Sequence, residues 1–157
     1  MFKYKYTIAI LLLLVLPVLF ILISKWNKEK IKSDNLLINN IKFSGEIVDL
    51  KVSGNHLFGI IRLKVDSTNT KVFLPSDVNM YPYRIKDSIA EIYHYVSHDL
   101  KKGIKVKVDS DKKIISFYDR DIFMYDLDMW IVTEKENIKF IRDNTIIGYD
   151  VSSVDLE

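Results

Sequence analysis

Apolar and polar positions divide the chain into two regimes. Residues 7–24 read TIAILLLLVLPVLFILIS, eighteen positions without a charge. As a helix rising about 1.5 Å per residue they would span roughly 27 Å, close to the ~30 Å hydrocarbon core of a bilayer. Tyr4 and Tyr6 precede the run and Trp26 follows it, where interfacial aromatics belong. Pro17 would break a soluble helix, whereas a membrane-spanning helix accommodates it as a kink. The pattern predicts a transmembrane anchor over residues 1–24, with 7–24 in lipid. A cleavable signal peptide is the alternative. Lys3 and Lys5 suit its n-region, but the run exceeds the usual ~7–15 apolar residues, and Ser24-Lys25-Trp26 is not a small-x-small cleavage site.

Residues 25–40 are polar and read as a stalk. From Ile41 the period becomes that of strands. Residues 41–52 end at the turn cluster Ser53-Gly54-Asn55. Residues 56–66 place Leu57, Ile61, Leu63 and Val65 on one face, with Gly59 as a candidate bulge. Residues 71–74 form a third strand stopped by Pro75. Ser88 and Glu91 then make the S-x-x-E capping box, and Ile89, Ile92, Tyr93, Val96 and Leu100 follow the helical period up to Gly103. This predicts a helix over 88–102. A hairpin follows, 104–108 and 114–118 about the turn Asp109-Ser110-Asp111-Lys112. A second hairpin, 129–133 and 138–141, and a short edge strand over 144–147 complete the pattern.

Charge refines this picture. The whole chain carries 23 basic and 21 acidic residues. Six of the lysines and one glutamate lie in residues 1–32, so the remainder has 17 basic and 20 acidic residues and a formal charge of −3. Such a domain lacks the basic footprint of a nucleic-acid binder. The membrane-proximal lysines suit lipid headgroups. Those after the apolar run outnumber those before it, which favours a cytoplasmic C-terminus by the positive-inside rule. A positively charged start followed directly by a long apolar segment is nonetheless how signal anchors are built. The expected topology is single-pass in the cytoplasmic membrane, with residues 41–157 outside. Zero cysteines exclude disulfides, thiolate metal sites and a thiol nucleophile.

Candidate chemistry is sparse. On the predicted helix Glu91, His94 and His98 share the face opposite the apolar stripe, at spacings that bring side chains together and suit Zn²⁺. H-E-x-x-H is absent, no fourth ligand is identifiable, and Glu91 is already used in the capping box. The expected outcome is a solvated face with ordinary imidazoles and no metal. The acidic pairs Asp109/Asp111, Asp119/Asp121 and Asp126/Asp128 lack a calcium-loop pattern and read as strand ends and turns. Trp130, beside Asp126 and Asp128, is a core residue or a ligand rim. Met80, Tyr81 and Tyr83 lie in the loop before the predicted helix. They form a possible exposed partner surface, or else a loop tucked over the barrel end. No P-loop, Rossmann fingerprint or G-x-S-x-G is present.

Residues 41–118 thus read β-β-β-α-β-β, an order that resembles the OB-fold, with its helix between strands three and four. Together with the anchor and the Phe43-Ser44-Gly45 segment, the chain resembles small uncharacterised membrane-anchored envelope proteins with an OB-like barrel. One family of this plan, the periplasmic haem chaperone of cytochrome c maturation, attaches haem through a His with Tyr four residues on. Neither His56, His94 nor His98 has Tyr at that offset, and no cofactor is expected. The resemblance implies a mainly β protein: a transmembrane helix, a stalk over 25–40, and an OB-like domain over 41–157 with one helix and an extra C-terminal hairpin. The expected function is a non-enzymatic, membrane-tethered binding or assembly module whose partner is an envelope protein, a peptide or a glycan. The alternatives are a metal-dependent enzyme using the histidine helix, and a structural subunit acting through its transmembrane helix.

Overall fold

A computed structural model describes residues 3–75 and 80–148, with side chains excepted at 3–14, 26, 27, 29, 30 and 33. The chain divides into two units, residues 1–36 and 37–157. The first is the helix α1 (Lys3–Leu37). It runs through the apolar segment and on through most of the expected stalk. Among the described residues no helix is long and apolar enough to cross a membrane. The described side chains begin at Val15, so the anchor expected over 7–24 lies partly outside them.

The second unit is mainly β. Its strands are β1 (Lys42–Val52), β2 (Phe58–Thr68), β3 (Val72–Phe73), β4 (Tyr83–Lys86), β5 (Ile89–Tyr95), β6 (Lys105–Asp109), β7 (Ile114–Asp119) and β8 (Ile122–Asp128). They form one antiparallel sheet in the order β3-β4-β5-β2-β1-β6-β7-β8. The pairs β3·β4, β2·β5 and β1·β6 nest around the reversal between β3 and β4. Order 3-4-5-2 is a Greek key, since β2 lies beside β5 after three hairpin-connected strands.

The pairing of β1 with β2 is irregular. Register shifts leave Asp66 of β2 unpaired opposite Ser44/Gly45 and Val48 of β1 unpaired between Ile47 and Asp49, one bulge in each strand, and bulges increase local twist. A Cβ at Gly45 would run into the Lys64 carbonyl, and one at Gly59 into the Lys51 carbonyl and Val96. Gly59 therefore marks a close approach of two backbones. The bulges lie elsewhere, at Val48 in β1 and Asp66 in β2.

The segments before β4 and after β8 meet outside the strands. Met80 and Val132 exchange both backbone hydrogen bonds, at 3.3 and 2.8 Å. The main core on one face of the sheet is filled by Phe43, Ile47, Ile61, Leu63, Ile92, Val106 and Phe117, among others. A smaller core lies outside β2 and β5. There Phe58, Ile60 and Tyr93 pack with Met80, Val132 and Ile141, the last from helix α2 (Lys135–Asn144).

Three sequence expectations are overturned. Residues 89–95 form β5 instead of the helix expected over 88–102, so β-β-β-α-β-β is not the order of this domain. β5 is covered on both faces, and five consecutive residues, 90–94, are buried. A strand buried on both faces loses its two-residue period, and apolar residues at 89, 92, 93 and 96 then imitate a helix. Asp87, at φ 58°, and Ser88 form the β4–β5 turn, so the apparent capping box is a hairpin. The expected hairpin over 129–141 is instead the Val132 bridge followed by α2. The edge strand expected over 144–147 is the end of α2 and an irregular segment.

Candidate functional site

The histidine constellation does not assemble. Glu91 and His94 are three apart on a strand and so project from opposite faces. His98 stands exposed in the turn beyond β5. Among the described residues no three His, Asp or Glu side chains are grouped to hold a metal ion. Neither Glu91 nor His94 is solvated, contrary to expectation. Glu91 is fully buried and His94 is 3 % exposed.

His94 lies against the Trp130 ring, centroids 4.0 Å apart, with Nε2 3.1 Å from the Asp128 carbonyl and Nδ1 3.3 Å from the Tyr95 carbonyl. Burial lowers its pKa below the ordinary value, against the upward pull of the two carbonyls and of the Asp128 charge. Trp130 is half-buried against His94 and Tyr95.

The aromatic loop is no exposed surface either. Met80 is bridged to Val132 and buried, and Tyr81 is half-buried against Phe73. Tyr83 is fully buried on β4, and its hydroxyl donates to Asn39 Oδ1 at 2.9 Å. Burial pushes the Tyr83 pKa up to about 12. Residues 76–79 of that loop lie outside the described residues. Asp109, Asp119 and Asp128 end strands and Asp111 and Asp121 lie in turns, whereas Asp126 lies inside β8 opposite Ser116. Lys42 reaches Asp109 and Asp111 at 3.3 and 3.4 Å, Lys101 reaches Asp119 at 3.3 Å, and Lys105 reaches Asp121 at 2.7 Å. The hydrogen bond from Lys105 holds the Asp121 pKa below the carboxylate range.

Cross-strand register builds a different site. Ser67 faces Ser44, Ser44 faces Lys107, and Lys107 faces Ser116, so one polar row crosses β2, β1, β6 and β7 on the outer face. Three of its four side chains are short. Lys107 lies over the Tyr118 ring, Nζ 4.8 Å from the centroid, and so leaves the row open. The neighbouring row, with Lys42, Asp109 and Ile114, makes a wall. The result is a shallow trough of about 350 Å³. Hydroxyls of Ser44, Ser67, Ser116 and Tyr118 and the ammonium groups of Lys42, Lys107 and Lys112 line it. The sequence marked none of these as a candidate site residue. They come from four strands and the β6–β7 turn, and only the pairing aligns them. Compared with known proteins, the chain matches no family model, no curated protein and no solved structure.

Proposed function

We propose that the protein is a membrane-tethered binding module, held in the cytoplasmic membrane by α1 with its β domain on the outer side, and without catalysis of its own. The observation that carries this reading is the apolar surface of α1. Every large apolar side chain from Val15 to Ile23 is exposed. Successive helical residues advance by about 100°, so these nine positions clothe the whole circumference and leave no polar stripe for water. A helix apolar on all sides needs lipid or protein around it. The charge-free sequence reaching back to Thr7 supplies a span-length segment within the same helix. Tethering confines the β domain near the bilayer, so a small binding surface gains from effective concentration.

Fractionation of full-length protein with intact-mass measurement tests the tether. The expected chain starts at Met1 or Phe2, sediments with membranes and needs detergent for extraction. A soluble chain beginning after residue 24 overturns it. Alkaline phosphatase fused after Glu157 tests the outward topology. Active enzyme supports it, and an inactive fusion beside an active cytoplasmic reporter at the same place reverses it.

A further inference from the structure

We propose that the serine-floored trough across β1, β6 and β7 binds an anionic saccharide, a sugar ring carrying a carboxylate or a phosphate. The inference rests on the reading of the β domain as a binding module and names its ligand class.

The shape comes from the register. A row of short side chains between taller ones leaves a channel across the strands, and about 350 Å³ suits one sugar ring. The floor is chemically matched to hydroxyls. A serine hydroxyl both donates and accepts, as sugar hydroxyls do, and Ser44, which already donates to Asp66, keeps its accepting lone pairs for a ligand. Ser116 is 8 % exposed, and its hydroxyl has no hydrogen-bond partner among the described residues. That hydroxyl is open to solvent in the trough, so water satisfies it until a ligand hydroxyl takes the water's place.

The charge of the trough is uneven. Lys42 is compensated by Asp109 and Asp111. Lys107 and Lys112 make no ion pair among the described residues. Lys107 instead rests on the Tyr118 ring. A cation–π contact at an accessible ring is weaker than a hydrogen bond between two charged groups. An anion entering the trough therefore draws Lys107 off the ring and frees the Tyr118 face for the apolar face of the sugar. Cations, hydroxyls and a releasable aromatic face together describe a sugar acid or sugar phosphate better than a neutral sugar or a bare anion. With −3 on residues 33–157, the surrounding domain would repel a polyanion such as RNA.

Amide NMR on full-length protein in polyoxyethylene-ether micelles, a detergent without sugar headgroups, tests this. The probes are glucuronate, glucose 6-phosphate, glucose and inorganic phosphate. The two anionic sugars are expected to shift Ser44, Lys107 and Ser116 saturably, at affinities about tenfold tighter than glucose or phosphate, in the millimolar range or below. Lys107→Ala and Lys112→Ala are each expected to weaken both by about tenfold with melting temperature unchanged, and Lys51→Ala to change nothing. Absence of saturable shifts overturns the proposal. So does equal binding of glucose, or inorganic phosphate matching the sugars. Membrane fractionation is read separately, so failure of the tether and failure of the ligand class are distinguishable.

Discussion

Arg62 and Glu91 stand directly opposite each other across β2 and β5, and Arg62 Nε donates to Glu91 Oε1 at 2.9 Å. The carboxylate also accepts from the Tyr93 hydroxyl at 3.2 Å, from the Thr145 hydroxyl, and from the Ile146 amide at 3.1 Å. The guanidinium in turn reaches Asp49 and, at 2.6 Å, the Asn144 carbonyl. Two ion pairs that share Arg62 thereby join three strands to the segment leaving α2. Desolvation offsets much of the attraction in such a pair, so its main effect is to fix where that segment docks.

Removing Glu91 leaves Arg62 with Asp49 as its counter-charge and strips the Tyr93, Thr145 and Ile146 donors of their acceptor. Glu91→Ala is expected to cost about 3–5 kcal/mol in urea unfolding. Thr145→Ala, which removes a single donor, is expected to cost about 1–2 kcal/mol. A Glu91→Ala protein as stable as wild type would show that the clasp contributes nothing.

The glycines separate close approach from open turn. Gly59→Ala would drive a methyl into the Lys51 carbonyl and Val96 and should cost about 1–3 kcal/mol. Gly54→Ala has nothing within 4 Å and should be neutral or stabilising by up to about 1 kcal/mol. Thermal melts of the two variants should diverge. If they coincide, the backbone spacing at Gly59 is wrong.

Leu57 occupies the left-handed region, φ 62°, in the turn between β1 and β2, with its side chain 41 % exposed. That conformation costs a leucine roughly 1–2 kcal/mol. Leu57→Gly should raise the melting temperature, because relief of strain exceeds the small loss of packing. A lowered melting temperature would mean that the Leu57 side chain is needed.

His94 gives the domain an acid-sensitive element. Its folded pKa lies below the unfolded value of about 6.5, chiefly through burial. The unfolded chain therefore holds the proton more tightly. The stabilisation is complete above about pH 6.5 and is lost as pH falls from there toward the folded pKa. Urea unfolding between about pH 7.5 and 5 should show stability falling with acid, and His94→Gln should flatten that slope. Trp130 fluorescence is a convenient probe, since its ring lies on the imidazole. An unchanged slope in the variant would assign the dependence to other groups.

Local pattern was enough for some elements. β1, β2, β3 and the β6–β7 hairpin lie close to where alternation and turn residues put them. Each has neighbours close in sequence, or punctuation such as Ser53-Gly54-Asn55 or Pro75. β8 was missed because the β7–β8 turn is Arg120-Asp121, at φ 50° and 66°, without the Asn-Gly or Asp-Gly signal usual for that geometry. α2 was read as a strand because Ile138 and Phe140 alternate with Lys139. Its helical anchoring through Asn137 and Ile141 depends on what it covers.

The sequence by itself determined that an apolar helix-length segment precedes a strand-rich domain, and where most turns fall. These follow from composition and short-range sterics. Tertiary structure decided that residues 89–95 are a strand, that Glu91 meets Arg62, and that Ser67, Ser44, Lys107 and Ser116 share one row. Burial on both faces erases a strand's period, and cross-strand register joins residues tens of positions apart, so neither leaves a local trace.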